Sequence, residues 1–305
     1  MAKPKTSGTS RKALTTKDLG VYINLLTDFG FKRAFGIKEV MLRFLNSVLD
    51  IEGGIVDLRY DNPEKLGSSK DDRKAVYDLY CVTGKDEHII VEIQSAPQVY
   101  FKDRTLGYVA RLIDQQRVKG KGWNFKLPRI YSINILDFSF EEATKPSGEE
   151  KERTKVKKIV SRVKLIDCDT GEIFYDKLTF IYIELPQFTK ELKNVKTFFE
   201  QWVYIIKNLH KLKNVPKKFR NDEVFEKLFE IAKIARMTTK EVNNYLKDLD
   251  NMNIVKNEIR TLQNFISERD NVIAQKDNTI AQKDSAIAQK DNIIAEYERR
   301  YGVLK

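Results

Sequence analysis

The spacing of apolar and polar positions changes period several times along the chain, and each change marks an element. In residues 22–50 the apolar positions Met41, Leu42, Leu45, Val48 and Leu49 recur at helical spacing after Lys38 and Glu39, which predicts an amphipathic helix. Past the pair Gly53 and Gly54, three short runs rich in β-branched and aromatic residues follow, 55–60, 75–83 and 88–94, and they predict an antiparallel meander. Helical spacing returns over 99–119 through Leu106, Val109, Ala110, Leu112 and Ile113, stops at Gly120, and gives way to a strand-like run at 129–138. Two further strand-like runs, 158–167 and 178–185, flank a turn at Asp169 to Gly171, after which the chain reads helical to its end. The order of helix, three-stranded meander, helix and strand predicts a mixed α/β core with a central sheet flanked by helices, followed by a helical region.

The last part is a repeat of period seven: NVIAQKD, NTIAQKD and SAIAQKD follow one another from Asn271 to Asp291, and a decayed copy begins at Asn292. With Ile273, Ile280, Ile287 and Ile294 at heptad position a, the register runs back through Ile266, Ile259 and Met252. Position d holds Val255 and Leu262 but then Arg269, Lys276, Lys283 and Lys290. Two readings stand: a coiled coil that joins copies of the chain, or a long solvated helix, because lysine at successive d positions weakens a seam. The boundaries read as a flexible basic arm at 1–19, a core domain at 20–245 and the heptad-repeat C-terminal helix at 246–305.

Composition supports a packed core, with 41% hydrophobic residues. Charge is lopsided, 55 Lys and Arg against 44 Asp and Glu for a formal +11, which favours a polyanionic partner, nucleic acid or an anionic membrane surface. No apolar run approaches the roughly 18 residues a membrane helix needs, and the first 20 residues are basic and polar. These features predict a cytoplasmic protein associated with the nucleoid, with no membrane contact. Cys81 and Cys168 have no metal-type spacing, and His88 and His210 are the only histidines, which disfavours a histidine metal site or a Ser-His-Asp triad. No glycine-rich phosphate cradle occurs.

The candidate chemistry lies in VYDLYCVTGKDEHIIVEIQSAPQ, residues 76–98. Asp78 is expected in the middle of one apolar strand, with Glu92 and Gln94 in the middle of the next. A buried carboxylate is costly unless something pairs with it, and two on consecutive strands suit a shared divalent cation. Glu92 and Gln94 share a face by alternation, whereas Asp78 joins them only if the hairpin around 84–87 leaves an odd number of loop residues. If it does, Asp78 and Glu92 supply ligands to Mg²⁺ (or Mn²⁺), which takes one or two carboxylates together with water and phosphate oxygens. The alternative is a structural hairpin whose acids pair with nearby Lys or Arg. Basic runs at 151–164, including Lys157 and Lys158, and at 207–220 offer a surface for backbone phosphates or are solvated loops.

Several passages also carry a resemblance: TDFGFKRAFG at 27–36, FLNSVLD at 44–50, VYDLYC at 76–81, VEIQ at 91–94, the RTLGYVARL helix from Arg104, and LPRIYSINILDF at 127–138. In this order they resemble the recombination-promoting nuclease and transposase family of the PD-(D/E)XK nuclease superfamily. The resemblance implies a restriction-endonuclease-like core and a metal-dependent DNA endonuclease that hydrolyses phosphodiester bonds, associated with recombination or mobile elements. Asp78 then matches the aspartate of the motif and Glu92 its second acid. Gln94 stands where the wider superfamily has a lysine, so an amide occupies the place of a positive charge. Asp28 resembles the acid that many members place near the metal through water, and it reads equally as a helix cap. Gln98, Lys102 and Arg104 are candidates for DNA contact or for positioning the helix. Two alternatives come from other classes: an inactive DNA-binding protein that keeps the fold, and a partner-binding protein assembled by its repeat tail.

Overall fold

The computed structural model describes residues 14–61, 77–116, 125–140 and 158–302. Most of the expected basic arm, the helix stop at Gly120 and the basic positions 151–157, Lys157 among them, lie outside the described residues. The chain divides into two compact units, the first running through Asn253 and the second beginning at Ile254.

Six strands form one mixed sheet: β1 (Leu58–Tyr60), β2 (Leu79–Thr83), β3 (His88–Gln94), β4 (Ile130–Leu136), β5 (Val160–Ile166) and β6 (Ile173–Glu184), in the spatial order β1-β2-β3-β4-β6-β5. The first three pair antiparallel, the meander expected from their spacing. β4 then runs parallel to both β3 and β6, and β5 pairs antiparallel with β6. Parallel neighbours cannot be joined by a tight turn. The connection from β3 to β4 is accordingly a crossover through α3 (Phe101–Gln115).

Both faces of the sheet are covered, which explains why β3 and β4 read as nearly unbroken apolar runs. Cys81, Ile89, Val91, Ile133, Ile135, Ile181 and Ile183 join one core with α1 (Asp28–Phe35), α2 (Lys38–Val48), α4 (Phe198–Asn208) and α5 (Glu223–Ala232). On the other face Val82, Ile90, Leu136 and Phe180 pack with Phe101, Val109 and Leu112 of α3. A further helix, α6, extends over Thr239–Tyr301. No described helix is long and apolar enough to cross a membrane.

Two sequence expectations need correction. The single helix expected over 22–50 is a pair, because Ile37 is extended (φ −90°, ψ 121°) and separates α1 from α2. The buried positions of α1 (Phe31, Ala34, Phe35) and of α2 (Val40, Met41, Phe44, Leu45) do not lie on one continuous helical stripe, so the break lets both bury. Second, Asp78 is not mid-strand: β2 begins at Leu79, and Asp78 is the residue that leads into it.

Candidate active site

The hairpin between β2 and β3 decides which residues meet. Val82 pairs with His88, and the Thr83 N–H donates to Glu87 O at 3.0 Å, so the loop proper is Gly84, Lys85 and Asp86. Asp86 N–H donates back to Thr83 O at 3.0 Å, and Asp86 takes φ 61°, the left-handed residue that closes a three-residue hairpin. The glycine in the loop is therefore not the position that needs positive φ. Three is odd, and continuing the register from Leu79↔Val91 sets Asp78 opposite Glu92.

The two carboxylates lock this pairing. Asp78 N–H donates to Glu92 Oε1 at 3.0 Å, and Ile93 N–H donates to Asp78 Oδ2 at 2.7 Å. Glu92 is only 4% exposed. Burial, then the negative charge of Asp78, pushes Glu92 up to about 8; burial likewise pushes Asp78 up to about 6, against the pull of its hydrogen bond from Ile93. Both acids resist ionising side by side, the condition a divalent cation relieves.

Gln94 ends β3 on the same face as Glu92. Its Nε2 donates to Ala96 O at 3.0 Å, and its Oε1 accepts from Arg104 Nη2 at 2.9 Å. Arg104, in the first turns of α3, also donates from Nη1 to Gln98 Oε1 at 2.7 Å and lies 3.6 Å from Glu92 Oε2. Its guanidinium is over the rings of Phe101 (5.2 Å) and Tyr108 (5.5 Å). The site thus sits at the C-terminal ends of the parallel strands, where the chain leaves for its crossover helix, a recurrent location for ligands in such sheets.

Asp28 is the first residue of α1. The helix cap is Thr27, whose Oγ1 accepts from Gly30 N–H at 3.0 Å, so the cap reading of Asp28 fails because its neighbour fills that role. Asp28 is exposed and bonds Lys32 Nζ at 2.7 Å. Its charge still acts on Asp78, and burial works against the charge of Lys32, yet Asp28, Asp78 and Glu92 together hold Lys32 above the ordinary lysine pKa. A cleft of about 460 Å³ runs beside it, lined by Asp28, Phe29, Lys32, Arg33 and the opening turns of α6, while Asp78 and Glu92 are not among its walls.

Of the other candidate contacts, Lys102 is exposed with its Nζ 4.8 Å from the Phe140 ring, and Gln98 and Lys158 are exposed. The run at 207–220 is partly turned inward: Lys207 Nζ donates to Leu185 O and Phe188 O, Lys218 to Val195 O and Arg220 to Val215 O. Those three cations serve loops before they serve any phosphate.

Sequence reading missed two residues. Lys32 was hidden because its relation to the acids is set by tertiary packing. Asn134, fully buried in β4, is paired in register with Glu92, and its Oδ1 has no hydrogen-bond partner among the described residues. An asparagine inside the apolar run IYSINIL was the available signal.

As a donor set, two buried carboxylates with oxygen ligands alone fit a hard cation such as Mg²⁺ or Mn²⁺. Among the described residues no three His, Cys, Asp or Glu groups gather as a complete ligand set, so water and substrate would fill the remaining positions. A family model described as PD-(D/E)XK nuclease family transposase matches residues 25–261. No curated protein and no solved structure matches the chain.

Proposed function

Because the chain belongs to the PD-(D/E)XK nuclease family transposases, we propose that it is a metal-dependent endonuclease hydrolysing DNA phosphodiester bonds, associated with recombination or mobile elements. Asp78 and Glu92 would hold Mg²⁺ or Mn²⁺, with Asp28 acting through water from the end of α1. When bound, such an ion lowers the pKa of a coordinated water and offsets charge on the scissile phosphate. Gln94 orients the attacking water, whose oxygen bonds to phosphorus as a bond from phosphorus to a sugar oxygen breaks and the departing oxygen takes a proton. Gln98, Lys102, Arg104, Lys158 and Lys157 hold the strand.

The observation that carries this reading is the reciprocal pair of backbone hydrogen bonds that fixes two buried, charge-resistant carboxylates opposite one another. These bonds also lock the strand pairing, but burying two carboxylates for that purpose costs stability whenever both acids are ionised. The absence of lysine at Gln94 favours a second reading, an inactive protein that binds DNA. A further proposal is self-association through the heptad face of α6, where Ile273, Ile280, Ile287 and Ile294 are each more than half exposed.

Plasmid cleavage with Mg²⁺, Mn²⁺, Ca²⁺ or EDTA tests the main reading on wild type, Asp78→Asn and Glu92→Gln, which keep the acceptor oxygens. Metal-dependent nicking lost in both variants is expected. Salt-sensitive DNA binding with no cleavage in any metal would select the inactive reading.

A further inference from the structure

The charge in the candidate site does not balance on the motif residues alone. Two carboxylates and a phosphodiester bring up to three negative charges, one divalent cation offsets two, and the position where a lysine would add a third positive charge holds Gln94. The amide of Gln94 is moreover already engaged, accepting from Arg104 Nη2 at 2.9 Å and donating to Ala96 O at 3.0 Å.

The guanidinium that engages it comes from α3, not β3. It lies 3.6 Å from Glu92 Oε2, in ion-pair contact with one acid of the pair, while Lys32 bonds Asp28 and acts on both acids through its charge. Gln94 and Gln98 grip one terminal nitrogen each, at 2.9 and 2.7 Å, and the rings of Phe101 and Tyr108 flank the planar group. Its Nε is buried without a hydrogen-bond partner. Such a donor costs stability where it stands, while each terminal nitrogen has a second N–H beyond the one its glutamine takes, which can serve a ligand oxygen. Two glutamines and two aromatic rings hold the guanidinium in one orientation, and a planar, permanently charged fork is suited to phosphate.

We propose that Arg104 is the catalytic cation of this site: it takes over the charge role that Gln94 cannot fill, donating to a non-bridging oxygen of the scissile phosphate while Gln94 and Gln98 hold it in place. The proposal rests on the nuclease reading and deepens it. Gln94 becomes chiefly a positioning residue for the guanidinium. Arg104 and a divalent cation also share Glu92, so neutralising Arg104 strengthens metal binding while it weakens catalysis.

The experiment uses the full chain as wild type, Arg104→Gln, Arg104→Lys and the double variant Gln94→Lys with Arg104→Gln. Single-turnover plasmid cleavage in Mg²⁺, DNA binding in Ca²⁺ and calorimetric Mn²⁺ binding are measured, with melting curves as the folding control. Removing one preorganised donor of developing charge typically costs about 10²–10³-fold in rate. Arg104→Gln is expected to lose that much in rate, well beyond its loss of DNA binding in Ca²⁺, and to bind Mn²⁺ several-fold more tightly. Arg104→Lys is expected to retain more activity than Arg104→Gln, and the double variant to recover at least about tenfold of the loss, because the charge returns from position 94. Cleavage within about threefold of wild type in Arg104→Gln overturns the proposal and leaves the nuclease reading standing. So does a loss shared equally by Arg104→Gln, Arg104→Lys and the double variant with Mn²⁺ binding weakened, which marks a structural role. A wild type that never cuts overturns both.

Discussion

Asp78 and Glu92 are placed where each makes the other costly, and the cost has a definite pH dependence. A carboxyl whose folded pKa lies above its unfolded value adds stability that is complete below the unfolded value and is lost as pH rises through the folded one. For Asp78 the window runs from 3.8 to about 6 and for Glu92 from 4.5 to about 8. In EDTA, Glu92→Gln is therefore expected to melt with wild type near pH 4 and several degrees above it at pH 8, at roughly 2–4 °C per kcal/mol for a domain of this size. Parallel melting curves would remove the claim that this pair is strained. Mg²⁺ should raise the melting temperature of wild type at pH 8 and leave Asp78→Asn and Glu92→Gln nearly unmoved, since only an ion held by the folded site stabilises it. The acids themselves were legible in the sequence because charge inside an apolar run stands out. Arg104 as their partner was not, because its contacts with Gln94 and Glu92 depend on how α3 packs on the sheet.

The β2–β3 hairpin shows how an element sets chemistry. Alternation fixes which residues share a face within a strand, and loop length fixes how two strands are phased. An odd loop follows here because Asp86 accepts a left-handed conformation. Asp86→Val should destabilise the fold by roughly 1–3 kcal/mol, since a β-branched residue there is strained. Asp86→Gly should be neutral or stabilising, because glycine adopts that conformation without steric cost. Urea denaturation of the two variants checks the order, and equal midpoints would mean that the turn does not enforce the register. α1 depends on more distant chain: Phe29 N–H donates to Asp248 Oδ2 at 2.9 Å, and Asn24 N–H to Tyr245 Oη at 2.8 Å. The opening turns of α6 thus anchor the segment that carries Asp28. Asp248→Ala is expected to cost about 0.5–2 kcal/mol, the range for losing a helix N-terminal acceptor, read from the same denaturation curves.

For the whole molecule, the excess of 11 positive charges argues for binding dominated by phosphate contacts. Log affinity for duplex DNA should then fall linearly with log salt, by about 0.9 per phosphate neutralised, and Lys158→Ala should reduce the slope by about one if that side chain makes a contact. A salt-independent affinity would exclude this mode. Removing residues 254–305 deletes the second compact unit. The shortened chain is expected to keep cooperative unfolding and metal-dependent cleavage and to lose self-association, measured by sedimentation. If the full chain already sediments as a monomer, the heptad face joins no copies, as the lysines at position d would allow.

The sequence by itself determined the mixed α/β order of elements, the meander, the odd-or-even condition on the hairpin and the acids worth following, because these rest on local periodicity and on the cost of charge in an apolar run. Tertiary structure alone decided that β4 inserts parallel between β3 and β6 and that one apparent helix is two. It also decided that Arg104, Lys32 and Asn134 gather near the acid pair. Those outcomes depend on packing between segments up to more than 200 residues apart, as the Asn24 and Tyr245 bond illustrates with a separation of 221. Local spacing carries no term for contacts of that range.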